Sequence, residues 1–104
     1  MANNWGIPDW LEKEVRNRDK ICVYCRVKME NKPKKNNLRR RATFEHIDNN
    51  GEPIAKNIAM CCNSCNASKG TKKLANWLQT DYCKEKNINK KTVAPIIKKF
   101  IASN

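Results

Sequence analysis

The chain has no apolar run long enough to cross a bilayer, and its start, Met1 to Leu11, lacks the hydrophobic stretch of a secretory signal. These absences predict a cytoplasmic protein with no membrane span. Internal repeats and low-complexity segments are also missing, and 104 residues suffice for one small domain. A single domain over residues 1–104 is therefore expected, with a modest core that a metal or a partner subunit would help to stabilise.

Acidic residues are scarce in this chain. There are 10 Asp and Glu against 22 Lys and Arg, which gives a formal net charge of +12. Nucleic acid is the usual partner of such a balance, because Lys and Arg release the counterions of its phosphates. DNA is the expected partner, and an RNA-binding zinc protein stays open as a weaker alternative. An anionic membrane surface is disfavoured, since no stretch has the pattern of a basic amphipathic anchor.

Cysteine, by contrast, is plentiful, and four of the 6 cysteines form two pairs of equal spacing. In an intracellular protein, thiols stay reduced or bind metal. The Cys-x-x-Cys pairs Cys22/Cys25 and Cys62/Cys65 supply the tetrahedral four-sulfur set that Zn²⁺ prefers. Two unrelated pairs of buried cysteines are the alternative, but two such hooks in one short chain rarely arise by chance.

The other two cysteines are expected to be small core thiols. Cys61 precedes Cys62 at a strand position that should be buried, and Cys83 follows an apolar stripe. Cys61 could replace Cys62 as a ligand, although the second hook would then be uneven.

Hydrophobic periodicity predicts short elements of both kinds, and hence an α+β fold. Trp10, Leu11 and Val15 mark the apolar stripe of a first helix. Trp5, Trp10 and Trp77 could stack on bases, but their helical spacing favours a place in the core. The predicted elements are a helix at 8–18, strands at 42–47 and 57–61, a helix from about 64, and a last helix capped by Thr92.

The segment 28–41 is strongly basic and has no apolar periodicity, so it is predicted to be a loop or an extended arm. Arg39, Arg40 and Arg41 lead directly into the first predicted strand. We expect them to grip DNA phosphates and guide the nucleic acid to that strand. A solvated loop whose charge aids only solubility is the alternative.

The only histidine of the chain, His46, lies in a polar context that sets it apart from an ordinary structural histidine. Glu45 and His46 are consecutive on a predicted strand, so they face opposite sides unless the strand ends there. The turn-forming residues 48–51 suggest that it does end. Asn66 lies about a quarter turn from Cys65 on the next helix, so it would look back at the hairpin.

Together these residues resemble the motifs of the HNH endonucleases. The family pattern has an acid–histidine pair, an asparagine opening the second strand, a Cys-x-x-Cys followed by His or Asn, and a lysine three residues on. The resemblance covers residues 18–73, about half the chain, and leaves 74–104 as a helical C-terminal extension. The matching run is Arg18-Asp19, Cys22-Val23-Tyr24-Cys25, Glu45-His46-Ile47, and Asn57 through Cys62-Asn63-Ser64-Cys65-Asn66 to Lys69.

The resemblance implies a zinc-stabilised ββα-metal (HNH, or His-Me finger) domain with flanking helices, acting as a metal-dependent DNA endonuclease. His46 would be the general base that takes a proton from water. Glu45 and Asn66 would hold one catalytic Mg²⁺ or Mn²⁺ through oxygen. Asn57 would tie the intervening loop and orient His46.

Lys69 and Lys73 would contact nucleic acid.

Three positions depart from the family pattern. Glu45 stands where Asp is commoner, and Asn66 replaces the His of many members. Arg26 stands where Gly usually follows the first hook, which predicts a mildly strained backbone there.

A zinc-stabilised DNA-binding or accessory module with an inactive nuclease site is the rival interpretation. A pure binder needs Lys and Arg but has no use for Glu45, His46 and Asn66 in register. The sequence leaves open the cleavage specificity, and whether the chain works as a homodimer or in a larger phage or restriction complex.

Overall fold

The computed structural model describes residues 7–32, 34–52 and 54–103. The elements are α1 (Asp9–Arg18), a 3-10 helix (Lys35–Arg40), β1 (Ala42–His46), β2 (Ile58–Cys62), α2 (Asn63–Lys69), α3 (Leu74–Trp77), α4 (Asp81–Glu85) and α5 (Pro95–Ser103). The two strands form one antiparallel sheet, so the predicted α+β class is confirmed. None of the helices in these ranges has both the length and the apolar character that a membrane crossing requires.

The β1–β2 hairpin is the centre of the fold. Its register pairs Glu45 with Ala59 and His46 with Ile58, and every residue of β2 is buried. Burial of consecutive residues means that both faces of this strand are covered. The predicted strands were each within one residue of the observed bounds.

One face of the hairpin packs on α1. Side chains alternate across a strand, so Phe44, Ile58 and Met60 share this face. Leu11 and Val15, one helical turn apart on α1, meet them and are fully buried. The cluster comprises Ile7, Leu11, Val15, Phe44, Ile58 and Met60.

The other face belongs to a larger cluster centred on Trp77, whose predicted place in the core is confirmed. The ring of Tyr24 meets the Trp77 ring edge-on, with 4.8 Å between centroids and 73° between planes. The Trp77 indole Nε1 donates a hydrogen bond to Ser68 Oγ at 2.9 Å, so its one polar atom is satisfied. Leu74 and Ile97 are buried in the same cluster, which joins α3 and α5 to the hairpin.

The last helix begins later than predicted. It starts at Pro95, and Thr92 does not cap it. Thr92 Oγ1 instead accepts a hydrogen bond from Asn89 N at 2.9 Å and donates one to Asn87 O at 2.8 Å. The threonine hydroxyl therefore closes the preceding turn. Proline suits the first helical position, because its missing N–H costs no helical hydrogen bond there.

The basic segment before β1 is also more ordered than the predicted loop or arm. It contains the 3-10 helix and forms a bridge between Glu30 and Arg41. Ala42 N donates to Glu30 O at 2.8 Å, and Glu30 N donates to Arg40 O at 2.9 Å. These bonds attach the arginine run to the start of β1.

The predicted core place of Trp10 is wrong, since its side chain is 64% exposed. Trp5 lies outside the described residues.

We expect Trp77→Ala to lower the free energy of unfolding by about 3–5 kcal/mol through lost packing. Trp10→Ala should change it by less than about 0.5 kcal/mol. Urea denaturation followed by circular dichroism measures both, and equal losses would contradict this division of the two tryptophans.

Candidate metal centre and hairpin site

Two separate segments bring four sulfur atoms together. Cys22 and Cys25 lie in the tight turn after α1, while Cys62 ends β2 and Cys65 lies in the first turn of α2. Their Sγ atoms all lie within 4.8 Å of one another. The structure thus unites the four cysteines predicted to bind zinc.

The cluster can hold a metal such as zinc. A tetrahedral site with Zn–S bonds of about 2.3 Å has sulfur–sulfur edges of about 3.8 Å. The Cys25 and Cys62 sulfurs are 3.7 Å apart. Cys65 N points at Cys62 Sγ at 3.4 Å, and the Tyr82 hydroxyl donates to Cys65 Sγ at 3.3 Å. Donors of this kind stabilise thiolate charge and fix the orientation of the ligands.

The contacts among the four thiols pull their pKa values in opposite directions. Cys25 acts to raise the pKa of Cys22, but Cys62 and Cys65 lower it to about 7. Hydrogen bonds from Cys22, and then from Cys62 and Cys65, lower the pKa of Cys25. Contacts with Cys22 and Cys25 raise the pKa of the two remaining thiols. Four thiolates at this spacing repel one another, so a bound cation is what would let all four ionise.

The other two cysteines lie outside this cluster, as predicted. Cys61 and Cys83 are both fully buried among apolar side chains. Burial raises the pKa of each thiol, which keeps both protonated. Cys61 contacts Thr43 Oγ1 at 3.6 Å on the other side of the strand from its neighbour Cys62.

The turn of the first hook is strained at Arg26. Its φ is +67°, in the left-handed region that favours glycine. The turn is closed by Arg26 N donating to Cys22 O at 3.1 Å and Cys22 N donating to Val27 O at 2.9 Å. A side chain in this conformation costs about 1 kcal/mol relative to glycine, which agrees with the predicted strain.

Beside the sulfur cluster, Glu45 is held in a buried polar site. It is 8% exposed, and its carboxylate accepts a hydrogen bond from the Tyr24 hydroxyl. Lys69 Nζ lies 3.4 Å from the other carboxylate oxygen and donates to His46 O at 3.4 Å. Burial raises the pKa of Glu45, although Lys69 and Tyr24 act to lower it. Burial also raises the pKa of Tyr24, which therefore remains a hydrogen-bond donor.

Lys69 is placed differently from the predicted phosphate contact. Its side chain is 0% exposed. The lysine lies three residues after Asn66, on the side of α2 that faces the hairpin, and there it compensates the buried charge of Glu45.

Asn66 does look back at the hairpin, as predicted. Its Nδ2 donates to Thr43 Oγ1 at 3.0 Å and to Phe44 O at 3.4 Å. Thr43 and Glu45 share one face of β1, because side chains alternate along a strand. The structure therefore brings Asn66 to the side of the hairpin on which Glu45 lies.

His46 ends β1 and points to the other face of the strand. Its side chain is half-buried, and it lines a small cavity of about 100 Å³ to which Ile7, Phe44, Glu45 and Ile58 also contribute. Within the described part of the chain, its carbonyl accepts from Lys69 while its imidazole takes no hydrogen bond.

Asn57 ties the loop that follows His46. Its Oδ1 accepts from Asp48 N at 2.8 Å, and its Nδ2 donates to Asp48 O at 3.0 Å and to Glu52 O at 3.1 Å. The side chain passes so close to Gly51 that a Cβ there would lie 2.6 Å from Nδ2. The loop thus requires glycine at this position.

The predicted nucleic-acid contacts other than Lys69 lie at the surface. Arg39, Arg40 and Arg41 are exposed at the start of β1. Lys73 is exposed and lines a cavity of about 380 Å³ together with Asp48 and the rest of the loop after His46.

Tyr24 and Thr43 were missed by sequence reasoning. Both donate or accept hydrogen bonds at the hairpin site, Tyr24 to Glu45 and Thr43 with Asn66. A carboxylate on a buried strand face requires a hydrogen-bond donor. Tyr24 lies inside the cysteine hook that packs against that face, and this position could have identified it as the donor.

Loss of a cluster thiol should be far more damaging than loss of a core thiol. Cys65→Ser should unfold or aggregate the protein, because binding of the metal is part of the folding free energy. Cys83→Ser, a matched buried control, should cost only about 1 kcal/mol. Metal analysis of the purified protein should give about one zinc per chain. A zinc-free wild type with the same melting temperature would contradict the metal centre.

Comparisons with known proteins found no relative of this chain. No family model, no curated protein and no solved structure matches the chain. A function is therefore inferred from the residues and geometry of the chain itself.

Proposed function

We propose that this protein is a metal-dependent DNA endonuclease of the HNH type, with a zinc-stabilised ββα-metal core. The observation that carries the proposal is the joining of β1, β2 and α2 around Glu45, His46 and Asn66. Glu45 and His46 are the last two residues of β1, and Asn57 ties down the loop that follows. The Asn66 side chain from α2 bonds to Thr43 and Phe44 earlier in the same strand.

His46 is the general base in this proposal. Its imidazole makes no internal hydrogen bond within the described residues and lies beside a cavity at the end of β1. A base must reach the proton that it removes, so an accessible ring is the required arrangement. The imidazole takes a proton from water, the water oxygen attacks phosphorus, and the bond to the 3′ oxygen breaks as that oxygen takes up a proton from solvent. The products are 5′-phosphate and 3′-hydroxyl ends.

Asn57 is a positioning residue for His46. Its side chain bonds to both the N–H and the carbonyl of Asp48, two residues after the histidine. Ile47 N also donates to Asn57 O at 2.7 Å. These bonds hold the strand end on both sides of the loop, and such rigidity keeps a base within reach of its substrate.

Glu45 and Asn66 would hold the catalytic cation. One carboxylate and one amide oxygen are the hard donors that Mg²⁺ or Mn²⁺ accepts, with water and substrate phosphate supplying the rest. Such a cation stabilises the charge that develops on the phosphate and the leaving oxygen. The ammonium of Lys69 would have to yield or share the Glu45 carboxylate, since the two are 3.4 Å apart.

DNA is the proposed substrate because of charge. The net charge is +12, and Arg39, Arg40 and Arg41 are exposed where the basic segment joins β1. Phosphate contacts by such residues position a duplex without reading its sequence. Loose sequence specificity is therefore expected.

One observation favours a second candidate, a DNA-binding accessory module. The Glu45 carboxylate already has two partners, Tyr24 and Lys69. An ion pair with lysine satisfies a buried acid without any metal ion. In that case the hairpin site is structural and binding by the basic surface is the whole function. Activity of the purified protein separates the two candidates.

We expect His46→Ala to reduce plasmid nicking by roughly 10²–10⁴-fold, since the lost group acts on a proton in the transition state. The assay is conversion of supercoiled plasmid in Mg²⁺ or Mn²⁺. Folding and DNA affinity should be nearly unchanged, because a general base contributes little to binding of the ground state.

Asn66→Ala is the comparison variant. Its loss of activity should be partly restored at higher Mn²⁺, because this residue contributes to holding the cation rather than accepting the proton. If His46→Ala nicks plasmid as fast as wild type, the nuclease proposal fails and the accessory module takes its place.

Reversal of charge at Arg39, Arg40 and Arg41 to Glu should weaken DNA affinity about equally for all sequences. The slope of log affinity against log salt should flatten by about one unit per lost phosphate contact. Anisotropy titrations over a range of salt concentrations measure both effects. The same change at Lys84, Lys86 and Lys91 is the charge-matched control, and a larger effect there would move the DNA surface to the C-terminal helices.

A further inference from the structure

A basic cavity lies beside the outer edge of β2, the strand that pairs with the strand of His46. Its volume is about 480 Å³, and it lies between the end of α1, the first cysteine hook and the start of α5. Met60 fixes its position, because Met60 N donates to Asp19 Oδ2 at 3.0 Å and Val23 N donates to Met60 O at 3.2 Å. Both of these backbone groups of β2 point away from β1, so the cavity follows the outer edge of the sheet.

The charges in this cavity do not balance. Arg18 binds both carboxylate oxygens of Asp19 at 2.8 Å, and it also donates to Ala55 O and Ile58 O at 2.6 Å. That pair is neutral and structural. Lys20, Arg26 and Lys99 also line the cavity. Among the described residues, none of these three side chains has an acidic partner, so a charge of about +3 faces the cavity.

The wall between these cations is apolar. Val23, Ala94 and Ile96 supply it. A concave site with walls of low dielectric and one sign of charge concentrates its field on a bound anion. Lysines scattered over a convex surface do not concentrate the electric field in this way. Lys98, the neighbour of Lys99 on α5, does not line the cavity.

Arg26 gives an independent reason to assign a ligand to this cavity. Its backbone is held at φ +67°, where glycine would serve the turn at lower cost. Strained backbone conformations cluster at functional sites, and the strain at Arg26 therefore supports a functional role for its side chain. The side chain of Arg26 is exposed and directed to the cavity that Lys20 and Lys99 also line.

We infer that this cavity binds a phosphate group of the nucleic-acid backbone, at a distance from the bond that is cut. The inference rests on the proposed function only for the identity of the polymer. A polynucleotide is favoured over a free anion because the cavity is open at the protein surface and belongs to a chain of net charge +12. The cavity and the arginine run would then hold the polymer at two places on the protein.

The decisive comparison is Lys99→Gln against Lys98→Gln, each in full-length protein carrying His46→Ala so that the probe stays intact. A labelled 16-bp duplex is titrated at several salt concentrations. Lys99→Gln should weaken binding and reduce the salt slope by about 0.9, while Lys98→Gln should leave the slope unchanged. Equal slopes for the two variants would overturn the inference.

Arg26→Gly provides a test whose two readouts move in opposite directions. Relief of backbone strain should raise Tm by roughly 2–6 °C, while loss of the guanidinium should reduce duplex affinity and the salt slope. A purely structural arginine would give the rise in Tm without any loss of affinity, and that result would contradict the inference.

Orthophosphate distinguishes the two sources of the ligand. If phosphate raises the Tm of wild type but not of Lys99→Gln, while duplex affinity is the same for both, the cavity takes a free anion and the polynucleotide assignment is wrong. Plasmid nicking is scored separately. A Lys99 effect on binding with no His46-dependent nicking would leave the phosphate site standing and remove the nuclease proposal.

Discussion

The convergence of four cysteine sulfurs is the constraint on which the other features depend. Cys25 and Cys62 are 37 residues apart in the chain, yet their sulfurs are 3.7 Å apart. The junction of β2 and α2 is thereby fixed against the turn after α1, and Tyr24 inside that turn reaches Glu45 on β1. A small core supplies little stabilisation for such long-range closure, so a metal on these sulfurs would supply what packing does not.

Much of this arrangement could be predicted, because local chemistry determines it. Equal Cys-x-x-Cys spacing identified the four cluster residues, and alternation of apolar residues located both strands to within one residue. The position of Asn66 followed from helical geometry alone, since a rotation of about 100° per residue separates it from Cys65. The strain at Arg26 was instead expected from the HNH resemblance, because glycine usually follows the first hook in that pattern.

The parts that could not be predicted are those set by tertiary contacts. Lys69 and Trp10 show this in opposite directions, because the lysine is fully buried while the tryptophan is 64% exposed. Lysine is usually exposed in proteins and tryptophan is usually buried, so the residue types alone predict the reverse. Lys69 is buried because Glu45 already lies on the covered face of β1, and one buried charge requires another. Trp10 is exposed because Leu11 and Val15, which are four residues apart, occupy the face of α1 that meets the sheet.

Adjacent residues at the end of β1 thus have different surroundings, because side chains alternate along a strand. Glu45 is buried against Tyr24 and Lys69, whereas His46 is half-buried at a cavity that Glu45 also lines. An acid in low dielectric interacts strongly with any nearby cation, whether ammonium or metal ion. A histidine whose ring has no hydrogen bond within the described residues can exchange protons with bound water. The end of β1 therefore carries a buried carboxylate in an ion pair and a half-buried imidazole on two consecutive residues.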